Sequence, residues 1–392
     1  MRPTLLANAL LLDPEAAAPA PGSLLLDGGR IRARLAPAAP GPAEALRVEL
    51  GGAAVAPGFL DLHFHGELAF PTLEGVAPAL ARASRLLARH GTTGFLATTV
   101  TQGAGILGGI VTRIAEAMTQ TAWEGAQPMG IHLEGPWISP QAAGAQPSAA
   151  IRPVDPAEAS ELLDRGHGLV RMVTCAPEVP GVDALLPELA HREVVGALGH
   201  SAASAEQVSA AVERGARHVT HLFNAMSPLH HRAPGLVGVA LSDDRLSCDL
   251  ICDGVHVHPA ALRIAARAKG ERLILISDRV DLPSGGAAGF GSGPLESDGE
   301  VLRLPDGRLA GSCLTLDRAL VKAQRLGALR LLEAVAAATL RPARLLGIEA
   351  ERGCLRPGAR ADLVVLAEDG AVRETWIEGR RVHPAGPSDL AR

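Results

Sequence analysis

Two histidines one residue apart, His63 and His65, are the first residues in this sequence whose type and spacing could perform chemistry. They close the stretch Ala-Pro-Gly-Phe-Leu-Asp-Leu-His-Phe-His-Gly at 56–66, in which an apolar run follows a Pro-Gly turn. Residues i and i+2 of an extended strand point to the same face, so both imidazoles could reach one metal ion. Two histidines on a half-buried strand without a metal are the alternative interpretation.

Further imidazoles and carboxylates follow other apolar runs. Glu134 ends Gly-Ile-His-Leu-Glu, His200 ends Ala-Leu-Gly-His, His221 ends Val-Thr-His, and Asp278 ends Leu-Ile-Ser-Asp. Barrel enzymes build their sites from the C-terminal ends of their strands, so this recurrence predicts a single site. Imidazole and carboxylate ligands without a thiolate suit zinc, or iron or manganese, with positions left open for water and substrate. A structural role explains one such histidine, but it does not explain the whole set.

The segments that would position these residues alternate between apolar strands and helical patterns, which is typical of parallel βα units. The predicted strands are at residues 54–62, 93–98, 129–133, 169–174, 194–198, 218–221, 247–251 and 273–276. This number and spacing predict the α/β fold class, with a closed (β/α)8 TIM-type barrel. A doubly wound open sheet is the alternative, but no Gly-x-Gly-x-x-Gly follows the first strand.

Both ends of the chain consist of short strand-like runs separated by turns such as Asp-Gly-Gly at 27–29. Neither end alone has enough strands for a stable sheet. We therefore expect residues 1–54 and 355–392 to meet in a small β-sandwich, beside a metal-dependent barrel catalytic domain at 55–354. The glycine-rich stretch 283–294 is expected to form a mobile loop over the barrel mouth, with a passive surface loop as the alternative.

Composition limits the partners and the chemistry. The net charge of −5 comes without a basic run, and no apolar run approaches a membrane-spanning length, so neither nucleic acid nor membrane is an expected partner. The five cysteines are odd in number and lack paired zinc spacing, as expected for reduced thiols in a cytoplasmic protein. The only two lysines, Lys269 and Lys322, fall in helical segments. This excludes a Schiff base and a carbamylated lysine that bridges two metals.

Over essentially its whole length the sequence resembles the amidohydrolase superfamily and, within it, the N-acetylglucosamine-6-phosphate deacetylases. The motifs that carry the resemblance are Pro-Gly-Phe-Leu-Asp-Leu-His-Phe-His-Gly at 57–66, Gly-Thr-Thr-Gly-Phe at 91–95, His-Leu-Glu-Gly-Pro-Trp-Ile-Ser-Pro at 132–140, Gly-His-Ser at 199–201, Thr-His-Leu-Phe-Asn-Ala-Met at 220–226, Asp-Gly-Val-His-Val at 253–257 and Ala-Gly-Ser at 310–312. The resemblance implies metal-dependent hydrolysis of the acetamide of a phosphorylated amino sugar.

By position, the resemblance implies that Glu134, His200 and His221 hold the principal divalent metal, while His63 and His65 offer a second subsite. One or two ions per subunit are therefore expected, zinc first, with iron or manganese as alternatives.

Asp278 corresponds to the family's catalytic aspartate. As general base it would take a proton from water, and as general acid it would return this proton to the departing amine.

The resemblance also implies which residues meet the sugar phosphate: Asn224, the Ala225 backbone, Arg232, His256 and Gln146. In the family an arginine and a histidine reach in from the neighbouring subunit, which implies a homodimer in which Arg232 and His256 serve the other subunit's site.

Gln146 stands where the family usually has a histidine that orients the substrate carbonyl. A deacetylase for another N-acyl substrate, such as N-acetylgalactosamine 6-phosphate, is therefore an alternative. A catalytically inactive barrel kept as a binding subunit is a second alternative.

Three further residues near the site are not expected to bind metal or substrate. His132 shares strand parity with Glu134 and is expected to support it. His218 is expected to face a helix, and Arg279, beside Asp278, is expected to point to solvent.

Overall fold

The structure is a computed structural model that describes residues 2–283, 289–290 and 293–384. The loop predicted at 283–294 lies mostly outside these described residues. No helix within these ranges combines the length and apolar character that crossing a membrane requires.

The two ends of the chain pair into one eight-stranded sheet. With strands numbered in chain order, its N-terminal members are β1 (Thr4–Leu11), β2 (Ala20–Asp27), β3 (Arg30–Leu35), β4 (Leu46–Glu49) and β5 (Ala54–Pro57). Its C-terminal members are β20 (Leu363–Leu366), β21 (Val372–Ile377) and β22 (Arg380–Pro384). Antiparallel pairing of β5 with β20 joins the two ends. The termini therefore meet in a terminal sheet domain, as predicted, and the structure forms it from one sheet. The bounds 1–54 and 355–392 of a β-sandwich domain stay a prediction.

Parallel strands form the wall of the barrel, each hydrogen-bonded to the next. They are β6 (Phe59–Gly66), β7 (Thr92–Thr99), β8 (Gln127–Glu134), β9 (Val170–Cys175), β10 (Val195–Leu198), β11 (Ala216–Val219), β12 (Ser247–Ile251) and β13 (Leu273–Ile276). The helices are α1 (Val76–Arg89), α2 (Ala104–Gln120), α3 (Pro156–Arg165), α4 (Val182–His191), α5 (Ala205–Glu213), α6 (Gly235–Ser242), α7 (Pro259–Lys269), α8 (Leu316–Arg325), α9 (Leu331–Ala338) and α10 (Leu340–Leu345). The predicted TIM-type barrel is confirmed.

The predicted strand at 54–62 is wrong in one respect, because the chain changes sheets within it. Residues up to Pro57 belong to β5 in the terminal sheet, whereas β6 begins at Phe59 in the barrel. Between them the Gly58 N–H donates to the Asp362 carbonyl at 2.8 Å. A Cβ atom at Gly58 would lie 2.2 Å from the Thr93 methyl group, so only glycine lets the chain pass this close to β7.

The barrel closes where β13 meets β6. The Asp278 N–H donates to the His63 carbonyl at 2.9 Å. The carboxylate of Asp61 accepts the Ser277 hydroxyl at 2.6 Å, the Ser277 N–H at 3.2 Å and the His63 N–H at 3.3 Å. Burial raises the pKa of Asp61 to about 6, against the opposing effect of these hydrogen bonds. This seam brings the ends of the first and last barrel strands together.

Short strands that no sequence pattern predicted follow β13 before α8 begins. They are β14 (Arg279–Val280), β15 (Gly289–Phe290), β16 (Gly293–Pro294), β17 (Glu296–Ser297), β18 (Val301–Arg303) and β19 (Leu309–Ser312). The strands β14, β19, β18 and β17 extend the barrel sheet beyond β6. This insertion carries residues 308–311 to the mouth of the barrel.

Candidate metal centre and active-site cavity

The paired histidines lie side by side on β6. The Nε2 atoms of His63 and His65 are 3.1 Å apart, and both side chains are buried. The Nδ1–H of His65 donates to the Thr98 carbonyl at 3.2 Å, which leaves Nε2 directed away from β7. The alternation of the strand therefore produces the arrangement expected from His-x-His.

Glu134, the last residue of β8, lies at the centre of the cluster. Its Oε1 is 3.3 Å from His63 Nε2, 3.2 Å from His200 Nε2 and 3.0 Å from His221 Nε2. Its Oε2 is 3.2 Å from His65 Nε2. Two overlapping groups result, each with its donor atoms within 4.8 Å of one another: His63, His65 and Glu134, and Glu134, His200 and His221.

These separations fit metal coordination. A tetrahedral ion with bonds of about 2.0–2.1 Å holds its donor atoms about 3.3 Å apart. The Nε2 atoms of His200 and His221 are 3.1 Å apart, and the contacts of Glu134 with the histidines span 3.0–3.3 Å. Nitrogen and carboxylate donors also suit a divalent transition-metal ion. The residues present therefore fit one or two divalent cations, with Glu134 shared between the two groups.

The electrostatics of the cluster favour a cation. Burial by itself would lower the pKa of His65, but hydrogen bonds to Asp278 and Glu134 outweigh it and raise this pKa to about 10. Burial also opposes the effect of Glu134 on His221, whose pKa is raised to about 9. The pKa of Glu134 lies well below its usual range because the surrounding imidazoles outweigh burial. A divalent ion would take the place of the protons that this site attracts.

Asp278, which follows the end of β13, also contacts the cluster. Its Oδ1 is 3.4 Å from the Nε2 atoms of both His63 and His65. Burial would raise its pKa, but these imidazoles outweigh it and lower the pKa to about 2. Asp278 is therefore ionised at neutral pH, and it lines the cavity in front of the cluster.

Three of the clustered residues have left-handed backbone conformations. The φ angles are 48° for His200, 32° for His221 and 48° for Asp278, a region that non-glycine residues adopt at a cost. The Nδ1–H of His200 donates to the Ala142 carbonyl at 2.9 Å, which fixes the orientation of the ring. Strain of this kind is typical of functional sites whose surroundings hold the backbone in place.

A cavity of about 250 Å³ opens in front of the cluster. Gln146 lines it, but both ends of its amide are engaged by the protein: Nε2 donates to the Glu134 carboxylate, and Oε1 accepts the Thr101 N–H at 2.8 Å. Asn224 and Ala225 also line the cavity.

The two ring and guanidinium side chains predicted to bind phosphate, His256 and Arg232, lie in different surroundings. His256 lines the cavity of its own chain, and its Nδ1–H donates to Asp253 Oδ2 at 2.5 Å. Arg232 is exposed and is not among the described residues that line the cavity; its Nη1 lies 2.9 Å from His231 Nε2. The structure brings every other predicted site residue to this cavity or to the metal cluster.

Arg308, which the sequence motifs did not indicate, also lines the cavity. Its Nη1–H donates to the Gly144 carbonyl at 2.6 Å, so it ties the insertion after β13 to the loop that carries Gln146. Its position directly before the Leu-Ala-Gly-Ser stretch is the signal that could have identified it.

The expectation for His218 is wrong. Its ring is fully buried, with Nδ1 at 2.7 Å from Ser247 Oγ and Nε2 at 3.0 Å from Asp249 Oδ2. Asp249 alternates with Cys248, whose thiol contacts a carbonyl of α6, so Asp249 and His218 face the barrel interior.

The other two supporting residues also have partners that the sequence did not indicate. His132 hydrogen-bonds Thr174 Oγ1 at 2.8 Å and packs edge-to-face on His63 at 4.7 Å between centroids, so it supports His63 rather than Glu134. Arg279 is paired with Asp281 at 2.7 Å instead of pointing freely into solvent.

The fold and site together define a barrel hydrolase of the metal-binding class. Residues 54–382 match the amidohydrolase family, and the chain belongs to that family.

Two bacterial relatives are similar along most of their length. The chain is 37% identical over 328 residues to N-acetylglucosamine-6-phosphate deacetylase of Bacillus subtilis (strain 168), covering 82% of this chain and 83% of the relative. It is 36% identical over 327 residues to N-acetylgalactosamine-6-phosphate deacetylase of Escherichia coli O157:H7, covering 83% of this chain and 86% of the relative.

Solved structures agree with these sequence relatives. The N-acetylglucosamine-6-phosphate deacetylase of Pasteurella multocida superposes with a TM-score of 0.89 at 27% identity, covering 97% of this chain and 99% of that one. The Mycobacterium smegmatis enzyme in complex with N-acetyl-D-glucosamine-6-phosphate gives 0.87 at 37% identity, covering 97% of this chain and all of the other.

Proposed function

We propose that the protein hydrolyses the acetamide of N-acetylglucosamine 6-phosphate to glucosamine 6-phosphate and acetate, a step of amino sugar catabolism. The observation that carries this function is the cluster of four imidazoles and two carboxylates around Glu134, which lies at a cavity. The similarity of the chain to deacetylases, both in sequence and among solved structures, supports the same function. The inactive-subunit alternative would require missing ligands, whereas all of the expected ligand residues are present.

In this proposal Glu134, His200 and His221 hold the principal metal ion, zinc in the first instance, and His63 and His65 provide the second subsite. A divalent cation held there supplies a Lewis acid that lowers the pKa of water and polarises the acyl oxygen. Asp278, which is ionised at neutral pH, accepts the water proton as the oxygen adds to the acetyl carbon. It then returns this proton to the nitrogen as the carbon–nitrogen bond breaks, giving acetate and the free amine.

The substrate is oriented by cavity residues. In this proposal Asn224, the Ala225 backbone and His256 bind the sugar phosphate. Their lining of the cavity and the contact of His256 with Asp253 support this role. Arg232 lies away from its own cavity, which supports its assignment to the site of a neighbouring subunit in a cytoplasmic homodimer. Gln146 acts on the reaction through Glu134, since its amide is already engaged there.

The test is acetate release by the purified, metal-analysed protein. We expect rapid release from N-acetylglucosamine 6-phosphate, much slower release from the unphosphorylated sugar, and a loss of about 10²–10⁴-fold in Asp278→Asn with its metal content unchanged. A protein with metal bound that releases no acetate from either sugar would contradict the proposal.

N-acetylgalactosamine 6-phosphate is the second candidate substrate. The observation in its favour is the relative of that specificity, whose 36% identity nearly equals that of the Bacillus subtilis enzyme. A higher kcat/KM for the galacto than for the gluco epimer, measured in the same acetate assay, would transfer the assignment to it.

A further inference from the structure

Two buried ionisable residues inside the barrel have no part in the reaction as described. His218 on β11 and Asp249 on β12 both have fully buried side chains, and neither lines the cavity. Their contact is a direct one, at 3.0 Å between His218 Nε2 and Asp249 Oδ2. A buried pair of this kind contributes little net stability compared with apolar residues, so its presence calls for another explanation.

The other contacts of Asp249 lead to the metal cluster. Its Oδ1 accepts the backbone N–H of His221, and its main-chain carbonyl accepts the Leu222 N–H at 3.0 Å. Asp249 thus holds the peptide units on both sides of His221 at the point where φ is 32°. The opposite side of the carboxylate is fixed by His218, whose Nδ1 is in turn fixed by Ser247 Oγ at 2.7 Å.

The clustered histidines are held in two different ways. His65 and His200 are each oriented through the ring, because Nδ1 donates to a backbone carbonyl. His221 lacks this support, since within the described part of the chain its buried Nδ1 has no hydrogen-bond partner. Its position therefore depends on its backbone, and the backbone is what Asp249 holds.

We propose that Asp249, oriented by His218, is a positioning residue that fixes His221 as a ligand for a divalent cation. The proposal rests on the metal role of Glu134, His200 and His221 in the proposed function. Residues that orient metal ligands typically contribute 10–100-fold to metal affinity.

The test is Zn²⁺ affinity, measured by competition with a chromophoric chelator, in a His63→Gln/His65→Gln background that leaves one subsite. We expect Asp249→Ala to weaken binding about 10–100-fold. Asp249→Asn keeps an acceptor oxygen for the His221 N–H and should recover most of the affinity. The matched control is Asp317→Ala. It breaks a second Asp–His pair, in which Asp317 Oδ2 lies 3.0 Å from His90 Nδ1, away from the cluster, and it should leave Zn²⁺ affinity unchanged.

Zn²⁺ affinity in Asp249→Ala equal to that of the Asp317→Ala control would overturn the proposal. If Asp249→Ala does not fold, His218→Asn leaves the carboxylate in place without its partner; it should weaken Zn²⁺ binding severalfold, and unchanged affinity would again overturn the proposal. Failure of the metal role itself looks different, because His221→Ala would then bind Zn²⁺ as tightly as its parent.

Discussion

The metal cluster has two halves that are built on different principles. In the strand half, His63 and His65 lie within the regular strand β6, where alternation puts both side chains on one face, and their Nε2 atoms are 3.1 Å apart. In the loop half, His200 and His221 follow the ends of β10 and β11. Their Nε2 atoms are also 3.1 Å apart, but this separation depends on two left-handed backbone conformations.

The difference shows which part of a metal site is local and which is long-range. In the strand half, eleven consecutive residues at 56–66 supply both histidines, and the Thr98 carbonyl of the neighbouring strand β7 holds one ring. The loop half instead takes its two histidines from separate strand ends, one held by the Ala142 carbonyl and the other by the Asp249 carboxylate. Glu134 joins the halves, since Oε1 faces both and Oε2 faces His65. The strand half should therefore tolerate changes elsewhere in the barrel better than the loop half does.

The sharpest test of the comparison is to remove each half in turn. His221→Asn should abolish tight binding of the principal ion and reduce kcat/KM on the order of 10³-fold, the several kcal/mol that a Lewis acid supplies. His63→Gln/His65→Gln should keep one ion per chain and lose about tenfold or less, because the principal ligands remain. Metal content by elemental analysis and acetate release measure both effects. Equal losses in the two variants would show that the halves work only as a unit.

A variant of Gln146 tests Glu134, the residue that the two halves share. Its amide donates to the Glu134 carboxylate and is itself held by the Thr101 N–H at 2.8 Å. Because the contact is with Oε2, which faces His65, Gln146→Ala should weaken binding of the second ion about 10–100-fold and of the first ion less. Stepwise Zn²⁺ titration separates the two ions.

The matched control for this variant is Gln207→Ala, which removes an exposed glutamine from the first turn of α5 that is not among the described residues lining the cavity. It should leave both titration steps unchanged. A Gln146→Ala variant with normal metal binding but a raised KM would instead place Gln146 on the substrate.

The sequence predicts the features that depend on local contacts and does not predict those that depend on long-range contacts. The barrel, the terminal sheet and the His-x-His strand follow from periodicity and from motifs that lie within single elements. The end of the first strand did not follow, because the change of sheet at Gly58 depends on Asp362 and Thr93. The sequence 247–251 reads as an apolar strand, and nothing local indicates that its one carboxylate, Asp249, reaches across to the His221 backbone.

The insertion after β13 and the true surroundings of His218 were missed for a related reason. Strands as short as β14 and β17 have no periodicity of their own and exist only because neighbouring strands pair with them. His218 is placed by strand order, since its partners Ser247 and Asp249 are on the adjacent strand β12. Neither the insertion nor the contacts of His218 can be predicted without knowing which strands are neighbours in the closed barrel.

Substitution of Asp61 is expected to have the smallest effect of all, a change in unfolding free energy. It tests how the backbone of His63, in the strand half, is held. Like Asp249 for His221, it accepts the backbone N–H of a histidine, His63, whose Nδ1 lacks a partner among the described residues. Burial raises its folded-state pKa to about 6, above its unfolded value, so the native state binds the proton more tightly. The stability that Asp61 contributes is therefore present at low pH and is lost as pH rises through about 6.

Asp61→Asn removes this titration while keeping the shape of the side chain and an acceptor for the His63 N–H. The unfolding free energy of the wild type, minus that of Asp61→Asn, should fall by about 1 kcal/mol between pH 5 and pH 7. Urea unfolding with a chelator present measures this difference and removes any linkage to metal binding. A difference that stays constant across the window would mean that the Asp61 carboxylate is fully ionised in the fold, and that the hydrogen bonds at the seam outweigh its burial.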